Sequence, residues 1–252
     1  MKTVISIMLT AFLVGFFTLL PARTALSSDV LVSQTEKVLG FKGSHDPIWS
    51  LKGTKPYLIG GYGDNFSYDG SRVVPIIGEA EVVLDAEKDR GTAKYTVYGT
   101  INPEKDRTYS GEITLIYRVG EGGPAFQEGG VADFIYMHGD TKQDAPVMPK
   151  SRTFLASWGK ADIFVNGSIV YKDIMAHIMY TERTRNTKTQ AIYNSDKSGF
   201  YSPKSPGDGS VADRKGRELH FVAHSMKEDR GNFPPHNIWI HLNFEDVREL
   251  KK

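Results

Sequence analysis

The chain predicts an all-β fold: an antiparallel β-barrel of about eight strands, with a two-sheet β-sandwich as the alternative. Three observations carry that expectation. From Gly78 nearly to the C-terminus, apolar residues recur with a period of two. Turn residues punctuate the alternation at short intervals, most plainly at Asn166-Gly167. No convincing amphipathic helix interrupts the pattern.

The chain opens on an address. Met1-Lys2 is a minimal positive start, Thr3 to Leu20 is almost wholly apolar, and Pro21 ends the run. Ala25-Leu26-Ser27 then places small residues at a cleavage position. This layout reads as a signal peptide over residues 1–27, so a secreted or periplasmic protein is expected. The alternative is an uncleaved membrane anchor, since about 18 apolar residues is near the minimum for a spanning helix. No later run is long enough for a stable membrane span after cleavage.

Residues 28–252 are then expected to form a single all-β domain of about 225 residues, enough for a substantial core. Loss of Lys2 and Arg23 moves the formal charge from +1 to about −1, which gives no electrostatic reason to expect nucleic acid as a partner. The chain has 0 cysteines, which excludes disulfides, thiolate chemistry and Cys-based zinc or iron–sulfur sites. The fold must stand on its core alone.

The strands follow in order. Gly43 to Arg72, rich in Gly, Tyr, Asp and Pro, is expected as an irregular segment that wraps the barrel or plugs one end. Ala80, Val82 and Leu84 alternate with acidic residues, Lys88 to Gly91 turns the chain, and Ala93, Tyr95, Val97 and Ile101 alternate with threonines and a lysine. That is an antiparallel hairpin with one wet face. Ile113 to Val119 and Phe134 to His138 are further strands. Ala161 to Val165, Asn166-Gly167 and Ser168 to Tyr171 form a two-residue hairpin, since both turn positions need positive φ. Ile174 to Thr181, Leu219 to Met226 and Ile238 to Phe244 complete the set. Thr187 to Gly216 reads as a long polar loop, with Asn194 to Lys215 expected as a disordered stretch or mobile flap.

Familiar catalytic signatures are missing: no Gly-x-Ser-x-Gly elbow, phosphate-binding loop or His-Glu-x-x-His zinc helix occurs. Asp64-Asn65 and Asp69-Gly70 lack the regular oxygen spacing of a calcium loop, so acidic turn chemistry is the reading there. The histidines carry more. Four of 7 fall in the last strands: His177, His220, His224 and His241. In each strand they lie opposite the aliphatic row, so all four share one face if the strands pair. His220 and His224 are roughly 13 Å apart along an extended strand, too far for one metal. A register that places His241 opposite Val222 instead makes those two its diagonal neighbours.

Met175, Met179 and Met226 share that face, and thioether with imidazole suits copper, with zinc second. The plainer reading is a solvated sheet face that needs no ligand. A competing ligand-binding set is aromatic: Trp49, Tyr62 and Tyr68, with Phe66, lie among glycines of the irregular segment, and Trp239 lies on the histidine face. Such rings stack on flat ligands or cap a barrel end. His138, beside Asp140 at a strand end, joins this set as a candidate for acid–base work.

The expected function is therefore a non-enzymatic, exported β-barrel protein that binds a small molecule or metal ion. Two alternatives stand beside it: a barrel enzyme of isomerase, cyclase or lyase type with a His/Tyr-lined cavity, and an envelope or surface structural module.

Overall fold

The computed structural model describes residues 40–120, 129–196, 198–204 and 211–250. The expected signal peptide lies outside these residues. Ten strands form one sheet: β1 (Ile48–Ile59), β2 (Val73–Pro75), β3 (Ile77–Asp85), β4 (Arg90–Glu104), β5 (Arg107–Val119), β6 (Gly130–Met137), β7 (Ser151–Val165), β8 (Ser168–Arg183), β9 (Asp213–His224) and β10 (Trp239–Glu249). Every pairing is antiparallel. Eight strands close a barrel in the order β1-β3-β4-β5-β7-β8-β9-β10, with β10 returning to β1. Barrel, not sandwich, is the outcome.

Period two decides which side chains fill the interior. Val82 and Leu84 of β3, Tyr95 and Val97 of β4, Leu115 and Tyr117 of β5, Ile178 of β8, Phe221 of β9 and Phe244 of β10 are all fully buried in one cluster. Tyr95 sits at its centre, with ring centroids 4.6 Å from Phe221 and 5.7 Å from Phe244. At roughly 1.5–3 kcal/mol for each large apolar side chain removed from water, this cluster is the main stabilising element of a cysteine-free fold. It is a filled core.

Two expectations are corrected along the chain. Ile48–Ile59 is strand β1, not part of an irregular wrap, and it closes the barrel between β3 and β10. Trp49 and Leu51 do alternate inward, but Gly53, Lys55 at φ 54° and Pro56 break the hydrophobic period. Gly53 serves a close approach, since a Cβ there would lie 3.1 Å from Phe244. Residues 168–183, read as two strands, form the single strand β8, with the irregularity absorbed at Asp173, φ 51°. The Asn166-Gly167 turn takes φ 49° and 78°, as its residue types demand.

The site is created by a branch in the sheet. The C-terminal half of β7 pairs with β5, from Gly159↔Val119 to Val165↔Ile113. Its N-terminal half pairs with β6, from Trp158↔Gly130 to Ser151↔Met137. The strand β6 thus lies off the barrel path and leads its following loop over the outer face of β8, β9 and β10. That face is buried, contrary to a solvated sheet surface. Phe66, Val147, Met148, Ile192 and Tyr201, all from loops, join Trp158, Met179, Val222 and Trp239 in a second apolar cluster outside the barrel. The expected polar loop 187–216 ends earlier, since β9 begins at Asp213, and it is packed in part: Ile192 is fully buried and the Tyr201 hydroxyl donates to the Pro146 carbonyl (3.0 Å). Residues 205–210 lie outside the described residues.

Candidate functional site

The register of the last three strands places the histidines. His177 of β8 pairs with Val222 of β9, which pairs with His241 of β10. One row along, Met175, His224 and Trp239 are neighbours; one row the other way, Met179, His220 and Asn243 are. All nine side chains point away from the barrel interior, because Ala176, Ile178, Phe221, Ala223, Ile240 and Leu242 fill it.

Loops close over this lattice and leave a cavity of about 210 Å³. Its floor is Met175, His177, Met179, Val222, His224, Trp239 and His241; the loops add Phe66, His138, Asp144, Met148, Pro234 and His236. Buried Arg185 anchors two of those loops, donating from Nη1 to the carbonyls of Ser67 (2.8 Å) and Gln190 (2.7 Å) and from Nη2 to that of Phe66. Gly70 lets the same loops touch, since a Cβ there would lie 2.1 Å from the Thr189 carbonyl oxygen.

Beneath the floor lies a buried polar chain. Glu218 Oε1 accepts from His220 Nε2 (2.8 Å), the Thr184 amide (2.7 Å) and the Thr184 hydroxyl, and Oε2 accepts from Asn243 (3.2 Å). Burial pushes the Glu218 carboxyl up, but His220 and the Thr184 donors outweigh it and hold the group below its usual range. An ionised Glu218 holds a proton of His220 on Nε2, and when that ring is neutral its Nδ1 is an acceptor. It lies 2.9 Å from His241 Nε2, which must donate. His241 Nδ1 is then a bare lone pair, and it has no partner. Burial holds His241 well below its ordinary pKa, so the ring is neutral near pH 7.

The other ionisable groups of the cavity follow the same logic. Burial lowers His138 and His224, and brings His177 and His236 down to about 4. Asp144 is pulled both ways: burial raises its carboxyl, and the charge that His177 and His138 carry when protonated lowers it, leaving it below its usual range. The cavity therefore presents one carboxylate among neutral imidazoles, thioethers and indoles.

Buried polar atoms without a partner occur in several parts of the described residues, Tyr95 and Thr153 of the barrel among them. Asp144 Oδ2, Trp239 Nε1 and His241 Nδ1 are each buried without a hydrogen-bond partner, and all three residues line this cavity. Leaving a buried polar atom unpaired costs about 1–3 kcal/mol, so these three are candidates for pairing with a bound molecule or water.

A search of protein-family models, curated proteins and solved structures finds no match to this chain. The functional reading rests on geometry alone.

The structure sorts the residues singled out in the sequence. His138, Met175, His177, Met179, His224, Trp239 and His241 line the cavity, and His220 stands behind His241. Trp49 does not belong with them: it is buried in the barrel core and stacks on His45 at 3.8 Å. Tyr62 lies apart as well, its hydroxyl donating to Asp229 (2.9 Å), and Tyr68 packs in the loop layer with its hydroxyl on the Val147 carbonyl. Both were drawn to the set by their company of glycines, which make turns here rather than a ligand shelf.

Among the described residues no three His, Cys, Asp or Glu side chains are grouped to hold a metal ion. His220 is committed to Glu218 and His241, while Met226 is 74% exposed at the cavity mouth. Asp144, His236 and Glu218 were missed. Glu218 carried a readable signal, an acid two residues before His220 on the same strand face; Asp144 and His236 sit in loops whose path no local pattern gives.

Proposed function

We propose that this protein binds a small, ring-sized organic molecule in the outer-face cavity, between the β8–β9–β10 floor and its loops. The observation that carries the reading is the trio of unpartnered buried atoms on three residues that line one cavity: a carboxyl oxygen of Asp144, the indole N–H of Trp239 and Nδ1 of His241. A ligand with a hydroxyl donor for Asp144 and a carbonyl-type acceptor for Trp239 supplies what they lack. Size agrees, because a cavity of about 150 Å³ accepts benzene and this one is somewhat larger. Apolar walls from Phe66, Met148, Trp158 and Val222 favour a flat or cyclic body. Ionised Asp144 disfavours anions.

Trp158 and Trp239 line the site, so tryptophan fluorescence reports occupancy. Titration with phenol and with 4-hydroxycyclohexanone is expected to saturate with Kd near about 1 mM or tighter, while benzoate leaves the signal unchanged. Equal, non-saturating responses to all three would remove the proposal. Export belongs to the same proposal, supported by the apolar leader before Pro21; intact mass of protein recovered outside the cytoplasm should correspond to a chain beginning at Ser28.

A further inference from the structure

We infer that Glu218, His220 and His241 form a proton relay and that His241 is the general base of a proton-transfer enzyme acting on a cyclic ketone or related carbonyl compound. This rests on the binding reading above and adds chemistry to it.

The geometry is directional. With His220 neutral, Glu218 sets the tautomer of His220, and His220 sets that of His241, through contacts of 2.8 and 2.9 Å. The chain ends on Nδ1, which has no partner, of a ring that is 1% exposed and belongs to a residue lining the cavity. A purely structural pair of histidines has no need for a third group that dictates which nitrogen stays unprotonated. Should Nδ1 take a proton, the positive charge is shared along the relay toward the Glu218 carboxylate rather than stranded. The groups facing His241 are His220 from β9, His177 from β8, His138 after β6, and Arg185 after β8. Burial and the Arg185 charge oppose protonation, so the resting base is free.

Trp239 lies two residues before His241 on the same strand face, with ring centroids 6.4 Å apart and planes at 86°. Its unpaired Nε1–H is placed to donate to an oxygen that gains charge. The step balances without any co-reactant. His241 Nδ1 removes a proton from the carbon beside the carbonyl; the C–H electron pair becomes the C=C bond, and the carbonyl π pair moves onto oxygen, where the indole N–H holds it. Return of the proton to the same carbon gives hydrogen exchange. Its return to the far end of a conjugated system gives an isomer. His241 is the catalytic residue; Glu218 and His220 are positioning residues.

The test uses the full chain in D₂O with 4-hydroxycyclohexanone, reading deuterium at the α-carbons by NMR and occupancy by tryptophan fluorescence. The parent should accelerate exchange over an equal concentration of free imidazole, and His241→Gln should reduce that gain by about a hundredfold while the probe still binds. Glu218→Gln should slow exchange and also convert His241 from one ring tautomer to a mixture, seen in imidazole ¹⁵N shifts. Should that variant fail to fold, the parent alone decides the point: His241 protonated on Nδ1 at pH 7 overturns the relay. A probe that binds without faster exchange overturns the proton-transfer role and leaves the binding reading intact. A probe that does not bind defeats both, and exchange undiminished in His241→Gln removes His241 as the base.

Discussion

His220 Nδ1 lies 2.9 Å from His241 Nε2, although the two residues are diagonal rather than directly opposite across β9 and β10. His241 pairs with Val222 and His220 with Asn243, so the imidazoles lean toward each other over one residue step. Small Val222 opens that space. Asn243 then turns its amide nitrogen to Glu218, closing a polar square in which His241 Nδ1 and Asn243 Oδ1 are left without partners.

Arg185 is the counter-charge and the strap of this arrangement. It stays charged at neutral pH even though burial lowers it to about 10, with Glu218 opposing that shift. Arg185→Met should remove a donor from three loop carbonyls, of which Ser67 keeps the Gly70 amide, and leave Glu218 without its nearby cation, costing about 3–5 kcal/mol. For a chain of this size that is a fall in Tm of roughly 10 °C or more, checked by thermal unfolding followed by circular dichroism. A Tm within about 2 °C of the parent contradicts this role.

Asp144 sets the preference for donors over anions. Asp144→Asn removes the only carboxylate among the cavity's lining residues. The affinity for 4-hydroxycyclohexanone should drop about tenfold, the usual weight of a hydrogen bond to a charged group, and discrimination against benzoate should weaken. Fluorescence titration of parent and variant with both probes reads this directly.

Acid should destabilise the protein well above the carboxylate range. The folded-state pKa values of His138, His177, His224, His236 and His241 are all depressed. Between about pH 6.5 and about 4 the unfolded chain therefore binds more protons than the folded one, and stability falls as pH drops. His177 alone, displaced to about 4, contributes on the order of 2–3 kcal/mol to that loss. Glu218 and Asp144 are depressed as carboxylates, so their contribution is lost only below about pH 4. Urea unfolding at pH 7, 5.5 and 4.5 (round values spanning about two titration ranges) should give steadily lower midpoints. A flat profile would mean these imidazoles are solvated.

Much of the fold was legible because the barrel is written in period two: β3, β4, β5, β8, β9 and β10 announce their inner rows in Val82, Tyr95, Leu115, Ile178, Phe221 and Leu242. The strand β1 was hidden because Gly53 and Pro56 replace the apolar residues that would mark it. The facing of the four strand histidines was readable from the same alternation. Their burial was not, because it depends on β6 branching from β7 and on loops anchored by Arg185. Those are contacts between residues over a hundred positions apart, as in Arg185 to Phe66, and no local pattern encodes them.

The central claim is that Asp144 Oδ2, Trp239 Nε1 and His241 Nδ1 await an organic partner. A crystal of the protein soaked with 4-hydroxycyclohexanone tests it most directly. The account predicts ring density between the Phe66 and Trp239 walls, with the hydroxyl on Asp144 Oδ2 and the carbonyl oxygen on Trp239 Nε1. Density for ordered water alone, satisfying all three atoms in the presence of the probe, would contradict it.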